Sequence, residues 1–279
     1  MTTQTAGLRT ATSPGNAFSD AMLMTWRNLK QIPRVPDKLM YGTIQPIMFV
    51  LLFAYVFGGA IPVNGHSSPS VYREFLMAGI FAQTMAFACA SASVGLADDM
   101  HKGLIDRFRS FPIARSAVIA GRVVGDLVFN SFVTAVMVLC GLVAGWRWHD
   151  GLLMALAAFG LLLLLAFAML WVGALIGLSV SSVEVANSAG LIWLFPVTFV
   201  SNIFVPGDRL PDVLKPIAAW NPLSTVTSAC RDLFGNPNPF VTDSFPARHP
   251  VFLSLVYCVA IIAIFAPLAI RKYNRATTV

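Results

Sequence analysis

The stretch "DDMHKGLIDRFRSFPIARSAVIAGR", residues 98–122, carries eight charged side chains: Asp98, Asp99, Lys102, Asp106, Arg107, Arg109, Arg115 and Arg122. It belongs to a chain that is 57% hydrophobic and only 11% charged. On each side the sequence turns apolar for about 20 residues, enough to cross the hydrocarbon of a bilayer. Working outward gives six such runs: 39–61, 75–97, 123–145, 151–178, 185–205 and 251–270. Each far exceeds the alternating segments of roughly 10 residues that a barrel strand would show, so they read as helices. With a mean hydropathy of +0.72, the chain reads as an all-α integral membrane protein with six transmembrane helices.

Charge orients these spans. Of the 19 Lys and Arg residues, 13 fall in the N-terminal segment, the 98–122 loop and the C-terminus. The positive-inside rule places those three regions in the cytoplasm. The net charge of +6 and pI near 9.4 therefore reflect basic cytoplasmic loops, and nucleic acid is not an expected partner. No cleavable signal peptide is expected, because the first apolar run starts near residue 39.

Residues 1–16, rich in Thr, Ala, Ser and Gly, read as a flexible tail ahead of a membrane domain over 17–275. Phe18, Met22, Trp26 and Leu29 recur at helical spacing, which predicts an N-terminal amphipathic helix in the membrane interface. Packing of that helix on the domain is the other reading. Trp146 and Trp148, in the short link "GWRWHD" (145–150), suit a membrane interface. Ser181 and Glu184 match a capping box at the start of the fifth span. Glu184 is also a candidate gating residue. In 206–250, Val213, Ile217 and Trp220, then Leu223, Val226 and Leu233, predict two short external helices. Pro211 and Pro222 suit their starts and Gly235 an end.

The chemistry that is missing narrows the function. Asp126 is the acidic residue well inside a run, one turn from its cytoplasmic end, and Arg122 stands at i−4 to pair with it. A proton-driven pump generally needs carboxylate or histidine relays in the membrane. The chain lacks GxxxxGK[ST], so no nucleotide site is legible. The four cysteines form no CxxC pair, and the four histidines lie in separate loops. No catalytic residue, metal ligand or cofactor site is expected, and energy for transport must come from a partner.

Within 98–122, Met100, Leu104, Phe108 and Phe111 fall at i, i+4, i+8 and i+11, with Ile105 beside them. Lys102, Asp106 and Arg109 line another face, and Pro112 ends the pattern. Ser116 then suits the cap of the third span. A short cytoplasmic helix of this kind either lays its basic groups on anionic lipid or docks its stripe in a protein groove. Its mixed signs favour docking.

Here the sequence resembles ABC type-2 transporter permeases, and most closely the daunorubicin/doxorubicin-resistance (DrrB) subgroup. The likeness spans roughly residues 17–275. It is carried by "QPIMFVLLFAYVFGGAI" (45–61), "GLIDRFRSFPIARSAVIAGR" (103–122) and "FVPGDRLPDVLKPIAAWNPLSTVTSACRDLF" (204–234). The resemblance implies six transmembrane helices and two permease copies that dock on two separate ATPase subunits, which bind ATP and Mg. It further implies that residues 98–112 are the cytoplasmic coupling helix: Asp98, Asp99, Met100, His101, Lys102, Gly103, Leu104, Ile105, Asp106, Arg107, Phe108, Arg109, Ser110, Phe111 and Pro112. The 206–234 region resembles the external re-entrant helices.

A hydrophobic drug or antibiotic needs apolar and aromatic walls with a few polar groups. Phe81, Gln83, Phe87, Asn130, Asn187, Trp193 and Phe199 are the candidates for its path. Packing is the competing role for the phenylalanines, as are interhelical hydrogen bonds for the three amides. Export of a lipid-linked glycan or another lipid fits the same plan. An ATP-independent channel or scaffold would need no coupling helix.

Overall fold

The structure is a computed structural model that describes residues 36–56, 62–63, 68–102, 115–239 and 244–276. The amphipathic helix expected around Phe18–Leu29 and residues 103–112 of the expected coupling helix lie outside the described residues. The helices are α1 (Pro36–Leu51, continued by a wide turn over Leu52–Val56), α2 (Pro69–His101), α3 (Arg115–Val143), α4 (Gly151–Gly177), α5 (Val183–Leu191), α6 (Leu194–Phe199), α7 (Leu214–Trp220), α8 (Pro222–Phe234), α9 (Phe245–Arg248) and α10 (Pro250–Ala276). Four of them, α2, α3, α4 and α10, are long and apolar enough to cross a membrane.

α2 is the hub. In its most apolar stretch 83% of the residues are buried, against 22% for α10 at the periphery. The second helix outruns its apolar run at both ends. Pro69 needs no amide partner at the first helical position, so residues 69–74 are helix rather than loop. The same helix continues through Asp98, Asp99 and Met100 to His101. α4 meets α2 through Gly173 and Gly177. A Cβ at Gly173 would overlap the Cys89 carbonyl oxygen, and one at Gly177 would lie 2.5 Å from that of Ser93. Gly190 brings α5 equally close, with Ala90 Cα 2.9 Å from where its Cβ would stand. Small residues let backbones touch where lipid offers no hydrophobic drive between helices.

The fifth apolar run is not one helix. It breaks at Ile192–Trp193 and ends its helical part at Phe199. Pro196 explains the break: it has no N–H for the Ile192 carbonyl, and its ring crowds that carbonyl. Beyond it, residues 201–205 fold back, and the Asn202 amide donates to Ser224 Oγ at 3.1 Å. Ser116, expected to cap the third span, lies inside its helix, which is described from Arg115 onward. The indole of Trp146 is fully buried within the protein, edge-on to Phe81 and Phe234, and its Nε1 donates to Asn236 Oδ1 at 2.8 Å.

The 206–250 region holds the two short helices expected. α7 exposes Val213, Ile217 and Trp220, whereas α8 buries Leu223 and Val226. Asn221 Oδ1 caps α8 by accepting from Leu223 N, Pro222 follows it, and Gly235 ends the helix at φ 67°. Pro211 starts a turn: its carbonyl accepts from Leu214 N and Lys215 N, and α7 begins three residues later. Arg231, on α8, is fully buried. Its guanidinium lies 3.6 Å from the centre of the Phe75 ring and donates to the carbonyls of Phe75 (2.9 Å), Asn202 (3.0 Å) and Ile203 (3.2 Å). The cation thus ties α8 to α2 and to the folded-back segment.

Two substitutions test this packing through the unfolding temperature in detergent, read by size-exclusion chromatography of a fluorescent fusion. Gly173→Ala should cost about 1–3 kcal/mol, because backbone must move to admit the methyl. Gly160→Ala, where nothing lies within 4 Å of the added Cβ, should be neutral or better. Arg231→Met strands three buried carbonyls at about 1–3 kcal/mol each. It should lower the midpoint far more than Arg248→Met, at an exposed position.

Candidate functional site

A cleft of about 140 Å³ opens between α1, α2 and α3. α2 supplies Ile80, Gln83, Thr84, Phe87, Ala88 and Ser91, which form one stripe at helical spacing. Gln45, Pro46 and Phe49 of α1 face them, and Phe129, Asn130 and Val133 of α3 close the third wall. Of the three amides on its walls, Gln45, Gln83 and Asn130, the last two are buried. Gln83 is 5% exposed, and among the described residues its side chain has no hydrogen-bond partner. Asn130, also 5% exposed, donates from Nδ2 to the Asp126 carbonyl at 2.8 Å. Leaving a buried amide unmatched costs about 1–3 kcal/mol. The pair is therefore suited to a solute that brings its own donors and acceptors.

Phe49 and Phe87 on the cleft wall are the ends of a chain of six phenylalanine rings. Phe87 meets Phe195 at 5.7 Å, Phe195 meets Phe199 at 6.4 Å, and Phe199 meets Phe204 at 6.1 Å. Phe204 stacks on Phe53 at 4.5 Å, and Phe53 on Phe49 at 5.9 Å. Phe195 and Phe199 are exposed, so the chain forms part of an apolar outer face.

The other path candidates disperse. Phe81 packs in the core among Trp146, Phe159 and Phe234. Asn187 is exposed on α5. Trp193 lines a separate cavity of about 410 Å³ with Met169, Val172, Val197, Leu223 and Phe265, all apolar. The reading of residue types missed Thr84, Gln45 and Phe49. The four-residue spacing of Gln83 and Phe87 with Thr84 and Ser91 around it was the signal that could have found the stripe.

The C-terminal end of α2 is a charged node. Asp98 pairs with Lys102 at 2.6 Å on the surface. Asp99 pairs with Arg122 Nη1, and Arg122 Nε reaches Asp126 Oδ2 at 3.1 Å. The Arg122–Asp126 pairing is the one the spacing implied; its extension to α2 is new. His101 Nε2 lies 2.8 Å from the Ser181 carbonyl oxygen, in the link before α5. That link is capped one residue later than the capping box requires. Ser182, not Ser181, is the cap, accepting from Val185 N at 3.2 Å. Glu184 consequently sits one position short of the capping-box partner. Its carboxyl is held below the usual carboxylate range by its own backbone amide, then by the Ser182 hydroxyl. It is exposed.

The sequence is similar to known proteins. The profile of the family described as ABC-2 type transporter matches residues 20–234. The chain is 31% identical to the daunorubicin resistance ABC transporter permease protein DrrB1 of Streptomyces coeruleorubidus, over 98% of this chain and 95% of that protein. It is 24% identical to the probable doxorubicin resistance ABC transporter permease protein DrrC of Mycobacterium tuberculosis, over 93% of this chain and 90% of that one.

Proposed function

The chain belongs to the ABC-2 type transporter family, and on that premise we propose that it is the permease subunit of an exporter that moves a hydrophobic drug or antibiotic out across the bacterial cytoplasmic membrane. Two copies, each with six spans and both termini cytoplasmic, stand on two copies of a separate ATPase that binds ATP and Mg. The spans are then the four long helices together with the α1 run and the broken α5–α6 run. Residues 98–112 are the element that docks in the ATPase, and residues 206–234 re-enter the outer leaflet.

The observation that carries this reading is the layout of α2. One rigid helix carries the stem of the charged loop at its cytoplasmic end and the wall of the cleft at Gln83, 16 residues and so roughly 24 Å away. A push at the loop therefore reaches the cleft without an intervening hinge. The cleft of about 140 Å³ is smaller than the roughly 300–1,000 Å³ of sites for drug-sized ligands. It holds part of such a molecule, and the exposed phenylalanine face beside it, completed by the second copy, holds the rest. Gln83 and Asn130 supply hydrogen bonds, and Phe49, Phe87, Phe195 and Phe199 supply ring contacts. The wholly apolar cavity near Trp193 is the feature that favours a lipid cargo, because its lining suits an acyl chain.

The docking element is tested by co-purifying tagged permease with its ATPase. Wild type should retain the ATPase, and the Leu104→Asp, Phe108→Asp double variant should lose it while still inserting in the membrane. Equal retention would remove 98–112 from the docking role. The cleft is tested with substrate-stimulated ATP hydrolysis. Gln83→Ala should raise the half-saturating concentration of an anthracycline about 5- to 10-fold, the loss of one buried hydrogen bond. Asn187→Ala, at an exposed position outside the cleft, should leave it unchanged.

A further inference from the structure

The described chain leaves α2 at Lys102 and resumes helix at Arg115. The stems on either side of residues 103–114 are joined by one guanidinium. Asp99 lies one turn before the exit and Arg122 two turns after the return. Nη1 of Arg122 pairs with Asp99 on α2, and Nε holds Asp126 on its own helix. All three side chains are largely withdrawn from solvent, at 22% exposure for Arg122, 26% for Asp99 and 12% for Asp126. Such a position raises an ion pair above the small value of a surface pair. The path across is built for it: Gly95 on α2 has no side chain, and a Cβ there would overlap Arg122 Nη2.

The node also continues inward. Along α3, Arg122, Asp126, Asn130 and Thr134 stand at four-residue steps on one face. Asn130 Nδ2 donates to the Asp126 carbonyl, and Thr134 Oγ1 donates to the Asn130 carbonyl at 2.8 Å and to Met85 Sδ on α2 at 3.4 Å. Asp126, Asn130 and Thr134 are buried. A polar seam thus runs between α2 and α3 from the stems of the loop to the amide wall of the cleft.

We propose that Arg122 is a positioning residue that clamps the two stems through Asp99 and Asp126, so that displacement of the loop moves α2 and α3 as one body at the cleft. This rests on the exporter reading. Without the clamp the ATPase still docks and still hydrolyses ATP, but the stems move independently and strokes are lost before they reach Asn130.

The test uses the full permease–ATPase complex in proteoliposomes, with an anthracycline as the transported probe. Arg122→Gln should keep ATPase co-purification and basal hydrolysis, while the amount moved per ATP falls about 10-fold. Arg122→Lys, which keeps the charge, should recover much of that loss. Spin labels at Lys102→Cys and Val124→Cys, in a background lacking the native cysteines, report the clamp directly. Their separation should be narrow in wild type and Arg122→Lys and broad in Arg122→Gln. Asp99→Asn severs the link to α2 and keeps the Arg122–Asp126 pair, so it must reproduce the loss even if Arg122→Gln is poorly expressed. An unchanged separation, or unchanged transport per ATP despite a broadened one, overturns the proposal and leaves the exporter reading standing. Failure of wild type to retain any ATPase overturns both.

Discussion

Backbone contact between α2 and α4 at Gly173 and Gly177 organises the helix packing. Hydrocarbon solvates an apolar side chain as well as a neighbouring helix does, so long helices gain by fitting closely rather than by hiding from solvent. Absent side chains at Gly173 and Gly177 put α4 against the Cys89 and Ser93 carbonyls. Gly190 does the same for α5 at Ala90. With two neighbours this close, α2 becomes the buried axis. Its remaining stripe, from Ile80 to Ser91, is the one left to face α1 and α3 across a cleft.

The two ends of that axis hold their cations differently. Near its C-terminal end Arg122 is shared between two carboxylates and is still partly wet. Near its N-terminal end Arg231 is fully buried and rests on three carbonyls and an aromatic face. The second arrangement depends on backbone that is not helical. The carbonyls of Asn202 and Ile203 accept from Arg231 because the fifth run stops being a helix after Phe199. A buried guanidinium deprived of its carbonyls is costly, so Arg231 holds its surroundings in place.

Residue types could nominate the cleft but not assemble it. Gln83 and Phe87 share a face of α2 because four residues make about one turn. Phe81, two positions from Gln83, points to the far side of the same helix and is core. Asn130 joins them from α3, which no local spacing reveals. The Arg122–Asp126 pair was legible at i, i+4, yet Asp99 lies 23 residues earlier in the chain. The capping register at Ser182 turned on which residue first adopts helical geometry, in a link whose Ser181 carbonyl oxygen lies 2.8 Å from His101 Nε2.

The membrane character, the positions of the apolar runs, the charged segment at 98–122 and the two short helices before Gly235 were legible in the residues, because each follows from composition or from periodicity within one element. Which helix is central, the burial of Trp146 and Arg231, the break and turn of the fifth run, and the polar residues that meet at the cleft and at the loop stems emerged only from packing. Hydropathy reports only whether a side chain avoids water, and in a membrane both lipid and protein satisfy that demand. Only the close approach of particular backbones distinguishes one from the other.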